Sequence, residues 1–349
     1  MKYRPELDTL RAVAVTAVMF SHWIPGFAYP INWGLVGVYV FFAISGYVIT
    51  RGLLNEQARC DGRIDLRRFY ARRIVRIWPI YFLTIAFIYL VYPGFVDGGM
   101  AWHMLFLSNI YFSIKAAFLF PVHFWSLSVE QQFYLVWPLL FLTANNRRIV
   151  VAIAGMLVVS PISRWYFDVH LQNVQAALYA PSSSVDCLAA GAFVAIAERL
   201  QIRRVVLNVI GALGAALLAF ILTMNWRGSD HWNISLTGTA IALISAWLIA
   251  WLGRSAKWGR VFCNPVTPYI GRISYGIYLY HLMIGNYIIY NTPLGKSIWV
   301  AAAASAAITV AVASVSWHFI ERPLLSLKPR SARATTRLQP VPPKQSSQR

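Results

Sequence analysis

The chain has 349 residues, 58% hydrophobic and 15% aromatic, with only 12% charged. A soluble domain carries about twice that share of charge, so the composition argues against a soluble two-domain protein and for an all-α, polytopic helical membrane bundle. Its 31 Lys and Arg against 12 Asp and Glu leave a net charge of +19, and the distribution of that charge decides whether it means nucleic acid.

Hydropathy predicts spans near 10–28, 33–53, 74–92, 125–144, 149–166, 178–197, 205–224, 233–252, 267–290 and 297–319, about ten transmembrane helices. When these alternate across the bilayer, only Lys115, Arg164, Arg227 and Lys296 of the 31 basic residues fall on one side. This is the positive-inside pattern, which puts both termini in the cytoplasm of a multi-pass protein of the plasma (bacterial inner) membrane. The charge is therefore topological, and no nucleic-acid partner is expected; membrane lipids are. Cys60, Cys187 and Cys263 have no zinc spacing and fall in segments unsuited to a disulfide framework, so no metal is expected. No cleavable signal peptide is expected, because the first span has charged flanks and no small-residue cleavage site.

The first span carries Arg11 near its start and His22 three turns later, ~16 Å apart along a helix axis, or about half a bilayer core. Ionisable groups at such depth cost several kcal/mol and persist mainly where they are paired or used. Asp8 reads as an N-cap. In the second span Ser45-Gly46 reads as a small-residue packing notch. A basic run then leads into the third span, with Arg72, Arg73 and Arg76 at its end. Lipid headgroups would account for most of it, but Arg73 and Arg76 are an i,i+3 pair able to hold a phosphate bidentately. The apolar stretch Ala101–Ser113 is too short for a span and reads as interfacial or re-entrant.

Trp125-Ser-Leu-Ser-Val-Glu130-Gln-Gln-Phe-Tyr134 opens the fourth predicted span. If Trp125 marks the interface, Glu130 lies ~8 Å below the outer end, at the depth of His22. A carboxylate there could orient the imidazole; an acid favoured by the helix dipole is the plainer reading. The ninth segment repeats the opening device, with Arg272 near the inside, Ser274, Tyr275 and Tyr278 close together on the helix, and His281 further out. Two histidines and a carboxylate drawn to the outer half predict a polar cavity there. Pro323 is expected to stop the last span. Residues 1–325 are taken as one membrane domain and 326–349 as a basic, disordered cytoplasmic tail.

These motifs resemble, in order, the acyltransferase-3 family of integral membrane acyltransferases: Arg11 and His22, Phe41-Phe42 with Ser45-Gly46, Arg73 and Arg76 before Ile77-Trp78-Pro79, the stretch from Trp125 to Tyr134, Ser274-Tyr275 through His281, and Glu321-Arg322-Pro323. The resemblance covers about residues 3–325. It implies that cytoplasmic acyl-CoA, usually acetyl-CoA, donates to an acceptor hydroxyl near the outer face. It also implies that Arg11 and His22 are essential, and that Arg73 and Arg76, with Arg72 beside them, serve the donor as a cofactor-binding group. Many members have an arginine two residues before the acid corresponding to Asp186; here Ser184 stands there. The chain reads as a stand-alone version without a fused hydrolase-like domain.

Acyl transfer to an alcohol needs a base and a means of steadying the developing oxyanion. His22 is the candidate base, Glu130 its orienting acid and Arg11 a donor-holding or electrostatic group. Ser45, Tyr275, Tyr278 and His281 are candidates for supporting or acceptor-side roles. Direct transfer and a covalent acyl-histidine relay both stay open. A surface or lipid-linked glycan is the expected acceptor, a small secreted molecule such as a macrolide an alternative, and a proton-coupled transporter or flippase a second class. The sequence leaves the oligomeric state open. A reporter active only in the cytoplasm should work when fused after Lys328 and be silent when inserted after Tyr92; the reverse pattern would overturn the orientation.

Overall fold

A computed structural model describes residues 3–27, 31–91, 98–116, 120–143, 146–226, 231–253 and 264–326. Among them there is no strand. The helices are α1 (Pro5–Trp23), α2 (Trp33–Arg59), α3 (Leu66–Val91), the short α4 (Met100–Met104) and α5 (Ser108–Lys115), α6 (Phe124–Thr143), α7 (Asn146–Trp165), α8 (Val174–Tyr179), α9 (Val185–Arg199), α10 (Arg204–Trp226), α11 (His231–Leu252), α12 (Val266–Asn291), α13 (Ile298–Ser316) and α14 (Arg322–Ser326). Each predicted segment meets a helix. Among the described residues six runs are long and apolar enough to cross a bilayer: α2, α3, Asn146–His170, Arg204–Met224, Asn233–Leu252 and Ile298–Ser326. The protein is accordingly a multi-pass membrane protein. α1, α6 and α12 miss that standard because they carry the polar side chains described below, and α9 because it has 15 residues.

α2 is the most enclosed of the six runs and Arg204–Met224 the least. α1, α9 and α11 pack around α2, α12 lies against α1, α13 against α12 and α10 against α11. α2 and α9 cross so closely that a Cβ on Gly46 would overlap the Leu188 carbonyl, and one on Gly191 the Ala43 carbonyl. Small residues let helix backbones approach in this way where lipid offers no hydrophobic drive between helices. The predicted notch is thus Gly46 alone, and Ser45 turns to the other side. The apolar stretch after residue 100 folds into the bundle as α4 and α5. Tyr81 donates to the His103 carbonyl at 2.8 Å, and His103 Nδ1 meets Ser108 Oγ at 2.7 Å.

The structure corrects the predicted span at 178–197. The chain there is α8, a 3₁₀ turn over Pro181–Ser183, and α9. Pro181 supplies no N–H and holds Ala180 extended, with ψ 145°. A break in a membrane helix is tolerated only where protein satisfies the freed backbone groups, and here α7 does so. Ser160 Oγ donates to the Ser182 carbonyl at 2.8 Å and accepts from the Asp186 N–H at 3.0 Å. Arg164, fully buried, donates to the carbonyls of Ser183 and Ser235 and pairs with Asp186 at 2.7 Å. Thr239 donates to the same carboxylate at 2.8 Å. Arg164, counted at the outer face in the topology reading, is therefore a structural charge within the bundle. It also supplies the guanidinium that Ser184 lacks.

Two helix ends differ from expectation. α1 begins at Pro5, whose fixed φ suits a first turn, so Asp8 lies inside the helix. There it accepts from Tyr3 at 2.8 Å and pairs with Arg11 at 2.9 Å instead of capping. Pro323 does not end the last span. A π turn over Trp317–Glu321 leads straight into α14, where the proline sits in the first turn. Cys60 and Cys187 are free thiols, exposed and buried respectively. Cys263, Arg227, Tyr92 and the tail from residue 327 lie outside the described residues.

Arg164→Leu should cost about 3–5 kcal/mol by leaving Asp186 charged and unpaired in the bundle. The thermal midpoint of the detergent-purified protein should fall accordingly. Adding Asp186→Leu should restore much of the loss, and a single variant as stable as wild type would contradict this role.

Candidate active site

A cavity opens between α1, α2, α3, α6 and α12. Most of the predicted site residues, but not His22, His281 or Arg72, converge on it from five helices. α1 contributes Arg11, α2 Ser45, α3 Arg73 and Arg76, α6 Glu130, and α12 Ser274, Tyr275 and Tyr278. The i,i+3 spacing of Arg73 and Arg76 does put both on the cavity. Arg72, a third of a turn away, leaves it and pairs with Glu56 at 3.2 Å. Arg72 is therefore no part of this wall.

The cavity holds three guanidinium groups and one carboxylate. Glu130 accepts hydrogen bonds from Ser45 Oγ and Tyr134 OH, with Tyr134 one turn further along α6. Arg73 lies over the Tyr134 ring, 5.3 Å from its centroid, and 5.7 Å from that of Phe69. Arg11 is held by Asp8. Arg76 is exposed and has no ion pair within 4.0 Å among the described residues. The surplus of positive charge and the exposed Arg76 guanidinium suit an anionic group able to take bidentate hydrogen bonds, such as a phosphate.

A second polar centre lies further along the same helices. His22 Nδ1 is 3.2 Å from His281 Nε2, and also 2.9 Å from the Val18 carbonyl one turn earlier. His281 is fully buried, while His22 is exposed. On α1, His22 stands ~16 Å from Arg11; on α12, His281 stands ~9 Å from Tyr275. Tyr278 spans the interval: its hydroxyl meets Ser126 Oγ at 2.6 Å and donates to the His123 carbonyl at 3.0 Å, and its own carbonyl meets His281 Nδ1 at 2.7 Å. Ser126 and Tyr278 also line the cavity.

The shared depth expected for His22 and Glu130 is not what the structure has. Trp125 is not an interfacial marker; it is buried against Phe42 and Tyr179. α6 thus starts inside the bundle, and Glu130 reaches the level of Arg11 and Ser45. The neighbour of His22 is His281, not an acid. His123, just before α6, was not singled out in the sequence, where it stands alone between Val122 and Phe124. It is buried with its ring 5.4 Å from that of His281, and nothing in its sequence context marks it.

A family described as an acyltransferase domain matches residues 4–318. The peptidoglycan O-acetyltransferase OatA of Listeria monocytogenes is 29% identical to the chain over 93% of its residues, covering 56% of the relative. A putative peptidoglycan O-acetyltransferase of Bacillus subtilis, YrhL, is 28% identical over 93% of the chain and 55% of the relative. A putative O-acetyltransferase of Staphylococcus aureus is 26% identical over 93% and 57%. The chain therefore spans just over half the length of these curated relatives. No solved structure matches it.

Removing one charge-assisted contact costs about 1.5–3 kcal/mol, or roughly ten- to a hundredfold in affinity. With coenzyme A as a phosphate-bearing probe, Arg76→Gln and Arg73→Gln should each weaken any binding to purified protein by that factor, whereas Arg72→Gln should leave it nearly unchanged. Equal losses in all three would argue against the cavity as the anion site.

Proposed function

We propose that this chain, which belongs to the acyltransferase-3 family of integral membrane acyltransferases, carries an acetyl group from cytoplasmic acetyl-CoA to a hydroxyl of a surface or lipid-linked glycan. The observation that carries the reading is the succession along α1 and α12 of an arginine-lined cavity, the Tyr278–Ser126 contact and the His22–His281 pair. The positive-inside charge bias supports a cytoplasmic arginine end. The names of the relatives, O-acetyltransferases and in two cases peptidoglycan O-acetyltransferases, support both the acyl group and the glycan.

In this reading Arg73, Arg76 and Arg11 hold the donor's phosphates. The ~16 Å from Arg11 to His22 is of the order of an extended pantetheine arm, so a donor anchored at the arginines could present its thioester towards the histidines without a carrier residue. Arg11 then belongs to the donor end and not to the base. Glu130 fixes Ser45 and Tyr134 in the cavity wall, so its part is to shape the donor pocket. His22 takes the proton of the acceptor hydroxyl as its oxygen attacks the acyl carbonyl. The C–O bond forms, the C–S bond breaks and the coenzyme A thiolate leaves, recovering a proton.

Loss of a general base costs about 10²–10⁴-fold. Membranes carrying the protein with labelled acetyl-CoA should transfer label into a glycan or lipid-linked fraction, and His22→Ala should reduce that transfer at least a hundredfold. Near-normal transfer by His22→Ala would refute the assignment. Label in a small secreted product instead would move the acceptor to that class.

A further inference from the structure

The hydrogen bonds around the two histidines determine which nitrogen carries each proton. His281 Nδ1 faces the Tyr278 carbonyl at 2.7 Å, a group that can only accept, so that nitrogen bears hydrogen and Nε2 keeps the lone pair. That lone pair meets His22 Nδ1 at 3.2 Å, and the Val18 carbonyl approaches the same nitrogen at 2.9 Å. With an acceptor on each side, His22 Nδ1 carries its proton. His22 Nε2 is left unprotonated on an exposed ring, the state a general base needs.

We infer that His281 is a positioning residue that shares the His22 Nδ1 proton with the Val18 carbonyl and steadies the ring when it takes a second proton, in the role a carboxylate fills behind the histidine of a serine-hydrolase triad. This inference rests on the proposed role of His22 as base. An uncharged imidazole avoids the cost of a lone carboxylate at this depth, yet its lone pair still steadies the cation formed when His22 takes a proton, because the Nδ1–H bond to it becomes charge-assisted. His281 is itself held from three sides. Trp23 Nε1 donates to its carbonyl at 3.3 Å. The Tyr278 carbonyl orients its ring. His123 packs against it, anchored by Nε2 at 3.3 Å from the Leu279 carbonyl.

The test compares His281→Leu, which fills space without an acceptor, with His281→Gln, whose amide oxygen can reach the position of Nε2. In the full chain His281→Leu should lower kcat for acetyl transfer about a hundredfold, with KM for acetyl-CoA unchanged. His281→Gln should recover most of kcat, and His281→Leu should have no further effect in a His22→Ala background. Nitrogen NMR of histidine-labelled protein, with the His22 signals assigned by difference against His22→Ala, should show Nδ1-protonated His22 in the wild type and a shifted Nδ1 signal in His281→Leu, where the Val18 carbonyl is left as its acceptor. Unchanged kcat in His281→Leu, equal loss in both variants, or an unaltered His22 Nδ1 signal would overturn the inference. A shifted Nδ1 signal in His281→Leu beside a wild type that transfers no acetyl would instead refute the proposed function and leave the positioning role standing.

Discussion

The close approach of α1 and α12 is the contact on which the site depends. A Cβ on Gly271 would overlap the Asp8 carbonyl, and one on Gly285 would strike the Trp23 indole. These two glycines lie on either side of His281, ~21 Å apart along the helix. The backbones can therefore touch along the whole stretch that carries Arg11 and His22 on one helix and Tyr275, Tyr278 and His281 on the other. Without that approach a histidine on each helix could not share a 3.2 Å contact. Side-chain packing in place of either glycine would push the pair apart.

Polar groups inside the bundle are handled differently according to their place. Arg164 has its acceptors supplied by a broken helix, and its charge is matched by Asp186, so it is spent on structure. Tyr47 plays a comparable part at the other end of α2, where it accepts from Arg4 and Arg51 and donates to Glu198. In the cavity, by contrast, Arg76 makes no ion pair within 4.0 Å among the described residues. The two polar centres are distinct in depth but share α1 and α12.

Much of this was legible in the sequence because it depends on local pattern. Runs of apolar residues defined the helices, and the i,i+3 spacing of Arg73 and Arg76 put them on one face. The order of the motifs pointed to the family. The differences have two causes. Trp125 as an interfacial residue and Arg164 as an outer-face charge are expectations overturned by distant segments: Phe42 and Tyr179 pack on the first, and the opened backbone at 181–183 accepts from the second. Asp8 as a cap and Pro323 as a terminator are overturned locally, by a helix that already begins at Pro5 and by a π turn that carries the last helix onward.

The sequence by itself determined the helical membrane class, the positions of the helices and the residue types available for chemistry, because hydropathy and helical period are properties of consecutive residues. Only the tertiary structure decided that Glu130 belongs with Ser45 and Tyr134, that Arg72 leaves the cavity, and that His22 is paired with His281. The depth of a side chain depends on where its helix begins within the bundle, and its partner depends on how closely two backbones approach. Both are set by packing between segments up to 259 positions apart, a distance over which no local pattern carries information.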